Sequence, residues 1–464
     1  MRVAVIGAGI SGLACAFRLA ERGADVAVFD RASRTGGVIA SAARNGFLFE
    51  FGPQSFQTTA ALKDLIRAAG LAEECDRAPA RSPRYVYAAG RLRPVPMGPQ
   101  ILVAGSLLGL GARLRLWRDL AGDSRPPDRE ESLAEFVRRK FGSEVLDRLA
   151  GPFVSGIYAG DPERLGLRDT FPDLYRWEKE DRSVLRGAMK AMRARKDKDA
   201  GKPRPSFLAL RRGNASLLDA LSAKLGDRVH LGASVESVSR SDASSQAGFQ
   251  LAVTSSAGAE TFCADSVVIA APADSAARML SGLAPSAAER LASIEYAPVA
   301  VVGTGYRREQ VRRSLEGFGF LVARGESRKL LGTVWMSSLF PGRAPEGQVN
   351  LASFVGGATD PATTELPEEE IAAIVERELA EILEIRGAAT ERSVWVHRRA
   401  LPQYNIGHRA RIAEVRAELQ RIPDLHLVGN YLDGPSTGVC VETAFLAADL
   451  ILAQKPEVSV GATL

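Results

Sequence analysis

Met1-Arg-Val-Ala-Val-Ile6 runs straight into Gly7-Ala-Gly9-Ile-Ser-Gly12. The first stretch has the continuous apolar pattern of a buried strand. Leu13 to Glu21 then reads as a helix, and Val26-Ala-Val-Phe29 as a second strand that ends on Asp30. Strand, glycine turn, helix, strand and acid, in that order, form the dinucleotide-binding βαβ fingerprint. Gly7 permits the tight turn. Gly9 lets a pyrophosphate approach the backbone at the positive end of the helix, and Gly12 lets helix and strand pack closely. Asp30 stands where a carboxylate accepts ribose hydroxyls. A glycine triplet alone is a weak signal, because glycine turns are common; here strand, helix and acid all hold their offsets. The fingerprint does not separate NAD from FAD.

The next residues favour FAD. Arg34-Thr-Gly36-Gly37 follows the Asp30 strand, and FAD enzymes of the amine-oxidase type carry such an Arg-x-Gly-Gly there. Its glycines let the backbone reach the cofactor, and its Arg offers a charge-assisted contact to phosphate. A second support lies near the other end of the chain. Leu425-His-Leu-Val-Gly429-Asn430-Tyr431 reads as a strand ending in glycine, followed by a loop with Gly434 and Gly438 and a helix opened by Val441-Glu442 and running to Ala453. That helix would point its N-terminus at the flavin and favour charge on the reduced ring.

Composition bounds the class. The 464 residues suffice for a large core and two or three domains. Hydrophobic content of 46% and charged content of 25% are ordinary for a globular protein. The net charge of +5 suits an anionic ligand or an acidic membrane surface and is too mild to indicate nucleic acid, for which no motif is present. Cys15, Cys75, Cys263 and Cys440 are scattered without a CxxC, which suggests a reducing compartment. Four His without a ligand-spaced cluster predict no metal site. The N-terminal apolar run is the fingerprint rather than a signal peptide, and no apolar stretch reaches the ~18–20 residues of a membrane span. The expected location is therefore cytoplasmic, with peripheral contact on the inner face of the membrane as an option.

Cofactor motifs at both ends require a discontinuous domain. Residues 1–80, 207–290 and 393–455 are assigned to a Rossmann-like FAD-binding domain, 81–92 and 291–392 to a mixed-sheet substrate domain, and 93–206 to a helical, membrane-facing domain. The fold class is α/β with α+β insertions. Short strands are predicted at 228–231, 233–238 and 249–253, and a buried strand begins at Ser266. Val235 is either an adenine contact through its backbone or a core valine. In the helical part, Ser132-Leu-Ala-Glu135 reads as a capping box with a helix continuing to Leu149. The apolar Ile101–Leu110 stretch turns basic at Arg113, Arg115 and Arg118, and either lies in a bilayer interface or lines the substrate pocket. Arg193 to Pro205 reads as a loop. Strands are expected near 300–305 and 349–355, and a helix over 367–385.

Nearly end to end, the chain resembles the oxygen-dependent FAD protoporphyrinogen oxidases and the related coproporphyrinogen III oxidases, within the flavin amine oxidase superfamily. Glu50-Phe-Gly-Pro53-Gln-Ser-Phe56, Arg84-Tyr-Val-Tyr87, Arg91-Leu-Arg-Pro-Val-Pro96, Gly156-Ile-Tyr-Ala-Gly-Asp161, Phe171-Pro172, Arg182-Ser183, Gly317-Phe-Gly-Phe320-Leu321, Ser337-Ser-Leu-Phe-Pro341 and Leu401-Pro-Gln-Tyr-Asn-Ile-Gly-His408 carry the resemblance. Departures are Gly213-Asn214 in place of a glycine pair, the loop Gly434-Pro-Ser-Thr-Gly438, and Val439 where many relatives have Arg.

The resemblance implies FAD held by Gly7, Gly9, Ile10, Ser11, Gly12, Asp30, Arg34, Gly36, Gly37, Gly52, Pro53, Gln54, Ser55, Val235, Gly429, Asn430, Gly438, Val439 and Val441. It implies a carboxylate-binding Arg84, a pocket glycine at Gly156, and Phe320 and Leu321 packing on a macrocycle. The implied reaction oxidises protoporphyrinogen IX with O2 through three hydride transfers to the flavin, and needs no strong side-chain base. Coproporphyrinogen III is the alternative substrate. A flavin amine oxidase, with Trp395 and Tyr404 as aromatic walls, and a non-catalytic tetrapyrrole carrier are the remaining readings. A ferrochelatase, a membrane surface and a second copy of the chain are candidate contacts.

Overall fold

The computed structural model describes residues 1–80, 82–95, 106–122, 125–198, 207–241 and 248–454. At its centre is a parallel sheet with strands in the order Val229–Leu231, Asp25–Asp30, Arg2–Ile6, Ser266–Ile269, Leu425–Leu427. The three central strands carry unbroken apolar runs, Val26–Phe29, Val3–Ile6 and Val267–Ile269, because both their faces are covered. Val3 and Val5 point into one core with Leu13 and Leu19 of the helix Ile10–Glu21 and with Val441 and Ala448 of the helix Thr437–Ala453. Ala4 and Ile6 point into the other, with Leu251 and Val253 of the antiparallel meander Ser234–Arg240, Phe249–Ser255, Gly258–Ala264.

The closing helix starts at Thr437, four residues before the predicted Val441, because the Ser436 side chain accepts the Val439 N–H and caps it. Gly438 therefore lies in the first turn of a helix rather than in a loop.

A second sheet has seven strands, in the order Glu391–Pro402, Tyr296–Arg307, Gln348–Gly356, Leu330–Trp335, Gly319–Val322, Arg84–Ala88, Arg91–Pro94. Every pair is antiparallel except Gly319–Val322 with Arg84–Ala88. The helix Glu368–Leu383 covers one face with Ile371, Val375, Leu379 and Ile382, an i, i+4, i+8, i+11 stripe. The other face meets the dinucleotide-binding part. There the hairpin Ser41–Arg44/Phe47–Glu50 inserts Phe49 over Gly303 and Phe47 over Gly305. A Cβ at either glycine would lie 2.3 Å or 2.4 Å from the ring, so only glycine admits this docking.

The helical part has its own core, including Leu116, Phe136, Val154 and Tyr158. The capping box forms: Ser132 Oγ accepts the Glu135 N–H while the Glu135 carboxylate accepts the Ser132 N–H. The predicted single helix to Leu149 is broken after Phe141, where Gly142 takes φ 87°. The chain resumes as Ser143–Val145, a π-helical turn Leu146–Ala150, and Gly151–Tyr158. The charged segment expected to be a loop from Arg193 is helical up to Lys198, within Val184–Lys198. Residues 199–206, Pro96 and residues 101–105 of the apolar stretch lie outside the described residues. The strand Arg91–Pro94 pairs with Arg84–Ala88, so residues 93 and 94 belong to the mixed sheet rather than to the helical part.

Candidate functional site

The glycine loop is shaped around an absent side chain. Gly7 has φ 114°, and a Cβ there would lie 2.8 Å from the Ala270 carbonyl oxygen; at Gly12 it would lie 1.8 Å from the Gly7 oxygen. A Cβ at Gly9, by contrast, meets nothing within 4 Å. Gly7 and Gly12 thus close the turn, whereas Gly9 opens onto free space at the N-terminus of the helix Ile10–Glu21, whose first turn carries no acidic residue. This is the cradle a pyrophosphate requires.

Gly36 docks on the loop through its N–H to the Ala8 carbonyl (2.8 Å), and a Cβ at Gly37 would sit 3.7 Å from Gly9 Cα. The Asp30 carboxylate accepts the N–H of Ala8 (2.6 Å) and of Ala32 (2.8 Å), fixing the loop with lone pairs left over for a diol. Arg34 was expected on phosphate. Its Nη1 instead donates to the carbonyls of Thr35 and Ile39 and its Nη2 to that of Gly37, so it braces its own loop. Val235 is half-buried beside a bulge in the meander, against the core.

Gly52–Ser55 is held by a buried polar node. The Glu50 carboxylate accepts Arg343 Nη1 (2.7 Å), the Asn214 N–H (2.9 Å) and Ser41 Oγ (2.5 Å). Asn214 Nδ2 donates to the Pro53 carbonyl (2.8 Å), and Gln54 Nε2 to those of Glu50 and Gly52. Asn214 therefore carries a structural duty that a second glycine could not perform. Arg343 and Asn350, which clamps Leu48 from the mixed sheet, went unrecognised in the sequence, where nothing marks them as partners of residues some 300 positions away. At the far side of the cradle, Gly429 has φ 156° and Tyr431 is fully buried. Val441 has no exposed surface and is core.

A second set of residues lines one face of the mixed sheet. Register places Leu321, Gly332, Phe354, Val301 and Trp395 in one row across five strands, about 19 Å at ordinary strand spacing. Trp395 stacks on Phe51 (centroids 5.0 Å apart), next to Gly52. His397 donates from Nε2 to the Phe51 carbonyl (2.7 Å), and burial lowers its pKa, so it is neutral there. Leu321, Leu331 and Phe354 are half-buried apolar residues in strands whose other members are mostly buried. Leu331 and Phe354 were not singled out in the sequence; period-2 alternation alone does not tell an open wall from a core.

The helix Gly151–Tyr158 approaches this wall. Phe153, Gly156 and Ile157 form its exposed face, and a Cβ at Gly156 would lie 3.0 Å from Leu321 Cδ2. Gly156 and Leu321 are thus brought together. Phe320 is not part of that wall: it is 3% exposed and points the opposite way, into the core under Glu368–Leu383.

Arg84 is paired in register with Gly319, which puts it on the same face as Leu321, one strand further out. Its guanidinium lies against two rings that touch each other, 5.0 Å from Phe318 and 5.6 Å from Phe207. Burial lowers its pKa, and among the described residues no carboxylate pairs with it. A desolvated cation without a counter-ion has the chemistry to accept an anionic ligand. No cluster of His, Cys, Asp and Glu fit for a metal occurs among the described residues, and among them no helix is long and apolar enough to cross a membrane.

The sequence profile of the flavin-containing amine oxidoreductases matches residues 10–452. Protoporphyrinogen oxidase 1, chloroplastic, of Arabidopsis thaliana is 34% identical over 96% of this chain and 86% of its own. Coproporphyrinogen III oxidase of Bacillus subtilis (strain 168) is 30% identical over 95% of each chain. The crystal structure of an Exiguobacterium sp. 255-15 protein carrying a provisional protoporphyrinogen oxidase name superposes with a TM-score of 0.81, at 26% identity, over 98% of this chain and 99% of that one.

Proposed function

The chain belongs to the flavin-containing amine oxidoreductase family, and from that premise we propose that it oxidises protoporphyrinogen IX to protoporphyrin IX with O2 as acceptor. The observation that carries the substrate class is Arg84, a desolvated guanidinium without a carboxylate among the described residues, on the same sheet face as the half-buried Leu321 and Phe354. A porphyrinogen has apolar faces and carboxylates on its edge, which suit that wall and that cation.

Aromatising the macrocycle removes six electrons and six hydrogens, so three O2 become three H2O2. The chemistry FAD supplies when bound is acceptance of each hydride and return of the electron pair to O2. The glycine cradle, the Asp30 carboxylate and the Gly52–Ser55 loop would hold it. This chain's own part is orientation: Arg84 fixes an acid edge, while Gly156 and Leu321 press on the ring. Water exclusion falls to the wall and to the helix Gly151–Tyr158. No proton acceptor is needed at the reacting carbon, whose C–H is weakened by two flanking pyrroles. In keeping with this, His397, the titratable group beside the Trp395 end of the wall, is committed to the Phe51 carbonyl.

Coproporphyrinogen III is the second reading, favoured by identity to the Bacillus subtilis enzyme over 95% of both chains. It carries four propionates rather than two. Offering both porphyrinogens to the FAD-loaded protein in air and following porphyrin fluorescence decides between them. Turnover of neither above background would reject the oxidase reading. Contact with an anionic membrane surface is part of the same reading. It is supported by Leu110, Leu114 and Trp117, which are 77%, 68% and 50% exposed along one face of the helix Leu110–Asp119.

A further inference from the structure

The segment Pro402–His408 ties together two regions that the proposed reaction must hold in register. Tyr404 is 3% exposed and belongs to the helical core, yet its hydroxyl donates to the Asn430 carbonyl at 2.6 Å. His408, 1% exposed, stacks on the Tyr404 ring with centroids 4.2 Å apart. Its Nε2 lies 2.8 Å from the Tyr431 carbonyl, an acceptor, so Nε2 carries the proton and donates. Gln403 reaches the other way: its Nε2 donates to the carbonyl of Tyr158 (2.9 Å), the last residue of the helix that carries Gly156. A Cβ at Gly160 would fall 2.7 Å from Gln403 Oε1, so the fit there is tight. The backbone is clipped as well, by Gly166 N–H to the Tyr404 carbonyl (2.9 Å) and Ile406 N–H to the Arg164 carbonyl (3.0 Å).

Asn430 and Tyr431 follow Gly429, whose left-handed φ lets the chain leave the parallel sheet. Beyond the strand Leu425–Leu427, side chains take over from the sheet in holding these two successive carbonyls, and fixing both fixes the peptide planes of the loop. We propose that Gln403, Tyr404 and His408 are positioning residues, a strap that sets the substrate-side helix Gly151–Tyr158 against the flavin-side loop at Gly429–Tyr431. This rests on the flavin-oxidase reading above. Gln403, Tyr404 and His408 are all buried, so the strap acts through the elements it joins. It sets the separation between the Gly156–Leu321 wall and the cofactor loop, a quantity to which hydride transfer is steeply sensitive.

The test uses the FAD-loaded full chain with Tyr404→Phe, His408→Leu and His408→Gln, the last retaining an N–H donor. Under anaerobic rapid mixing with protoporphyrinogen IX or coproporphyrinogen III, Tyr404→Phe and His408→Leu should slow flavin bleaching at saturation about tenfold or more. The half-saturating concentration should stay within about twofold and His408→Gln close to the parent. Amide hydrogen exchange without substrate should quicken in Tyr404→Phe at both 429–434 and 151–160. A parental rate in Tyr404→Phe, a loss that merely follows FAD content, or exchange changes confined to 403–408 would overturn the strap. If the parent is bleached by neither porphyrinogen, the oxidase reading falls, and the exchange measurement still decides the strap: coupled segments support it and uncoupled ones reject it.

Discussion

Replacing Arg84 with Met should weaken substrate binding severely while leaving the folded protein about as stable as before. In the free protein the guanidinium is half-buried against the Phe207–Phe318 ring pair, with its pKa lowered by desolvation and no carboxylate partner among the described residues. Two ring contacts return roughly 0.5–1 kcal/mol each. A Met thioether keeps most of the stem and recovers a comparable sulfur–aromatic contact, so the change in stability should stay within about 1 kcal/mol of zero. With substrate bound the balance differs, because a fork of two charge-assisted hydrogen bonds to a carboxylate disappears. At about 3 kcal/mol for the pair, KM should rise roughly 150-fold, with kcat little changed. Arg84→Lys keeps the charge and loses the fork, and should fall between, near tenfold. KM and kcat come from porphyrin fluorescence, stability from thermal melting, and FAD content from the visible spectrum. A KM within about threefold of the parent would remove Arg84 from the site. A rise in KM accompanied by a fall in Tm of more than about 8 °C would make Arg84 a structural residue and refute the reasoning.

The second and third fingerprint glycines should separate binding from folding. Gly9→Ala places its Cβ in free space and should melt like the parent while FAD affinity falls about a hundredfold; Gly12→Ala drives its Cβ into the Gly7 carbonyl and should cost about 3 kcal/mol or more in denaturant titrations. Burial lowers the pKa of His408 to about 4. Its unfolded value is near 6.5, so between pH 6.5 and 4 the unfolded chain takes up a proton that the folded one refuses. Stability is therefore present above pH 6.5 and lost on acidification, by about 3 kcal/mol, and His408→Gln should flatten the dependence of Tm on pH across that window. The Glu50–Arg343 pair is 1% exposed on each side. Arg343→Met leaves a buried carboxylate uncompensated and should cost about 3–5 kcal/mol, of which adding Glu50→Gln should restore part, as read by urea unfolding. Serine at Leu110, Leu114 and Trp117 together should abolish sedimentation with anionic vesicles; retained sedimentation would place membrane contact elsewhere.

The dinucleotide-binding half was legible because its signals are local. Ile6 to Gly12 and the acid at Asp30 fall within a single βαβ unit; Gly7 and Gly12 answer to contacts in that unit or at the end of the adjoining strand, and Gly9 to the open space beside them. The strands at 296–307 and 348–356 and the helix at 368–383 were legible from periodicity. The breaks were not. Gly142 ends a helix whose apolar positions continue in phase past it, and Ser436 starts one inside what reads as a glycine loop. Arg34 and Phe320 went astray for a related reason: residue type and motif placed them correctly along the chain, but not in direction. Arg34 folds back on three carbonyls of its own loop, and Phe320 faces the helix-covered side of its strand.

Direction in a sheet is set by register, and register joins segments that the sequence holds far apart. Leu321 faces the wall because it is opposite Gly332, which is opposite Phe354. Gly332 has no side chain of its own there because a Cβ would lie 2.9 Å from Leu321 Cδ2. Further along the same face, Gly303 and Gly305 receive Phe49 and Phe47 and seal the sheet against the cofactor domain. One face therefore has two regimes. Where large rings fill glycine positions it is an interdomain core, and beside Gly156 it leaves Leu321, Leu331 and Phe354 half-exposed, the wall of the proposed site. A shift of one residue in Gly319–Val322 would exchange Leu321 for Phe320 on the open side, and one in Arg84–Ala88 would carry Arg84 to the opposite face. The wall and its cation depend jointly on that register, so a ligand that needs both an apolar surface and an anion partner reads the whole sheet rather than any single motif.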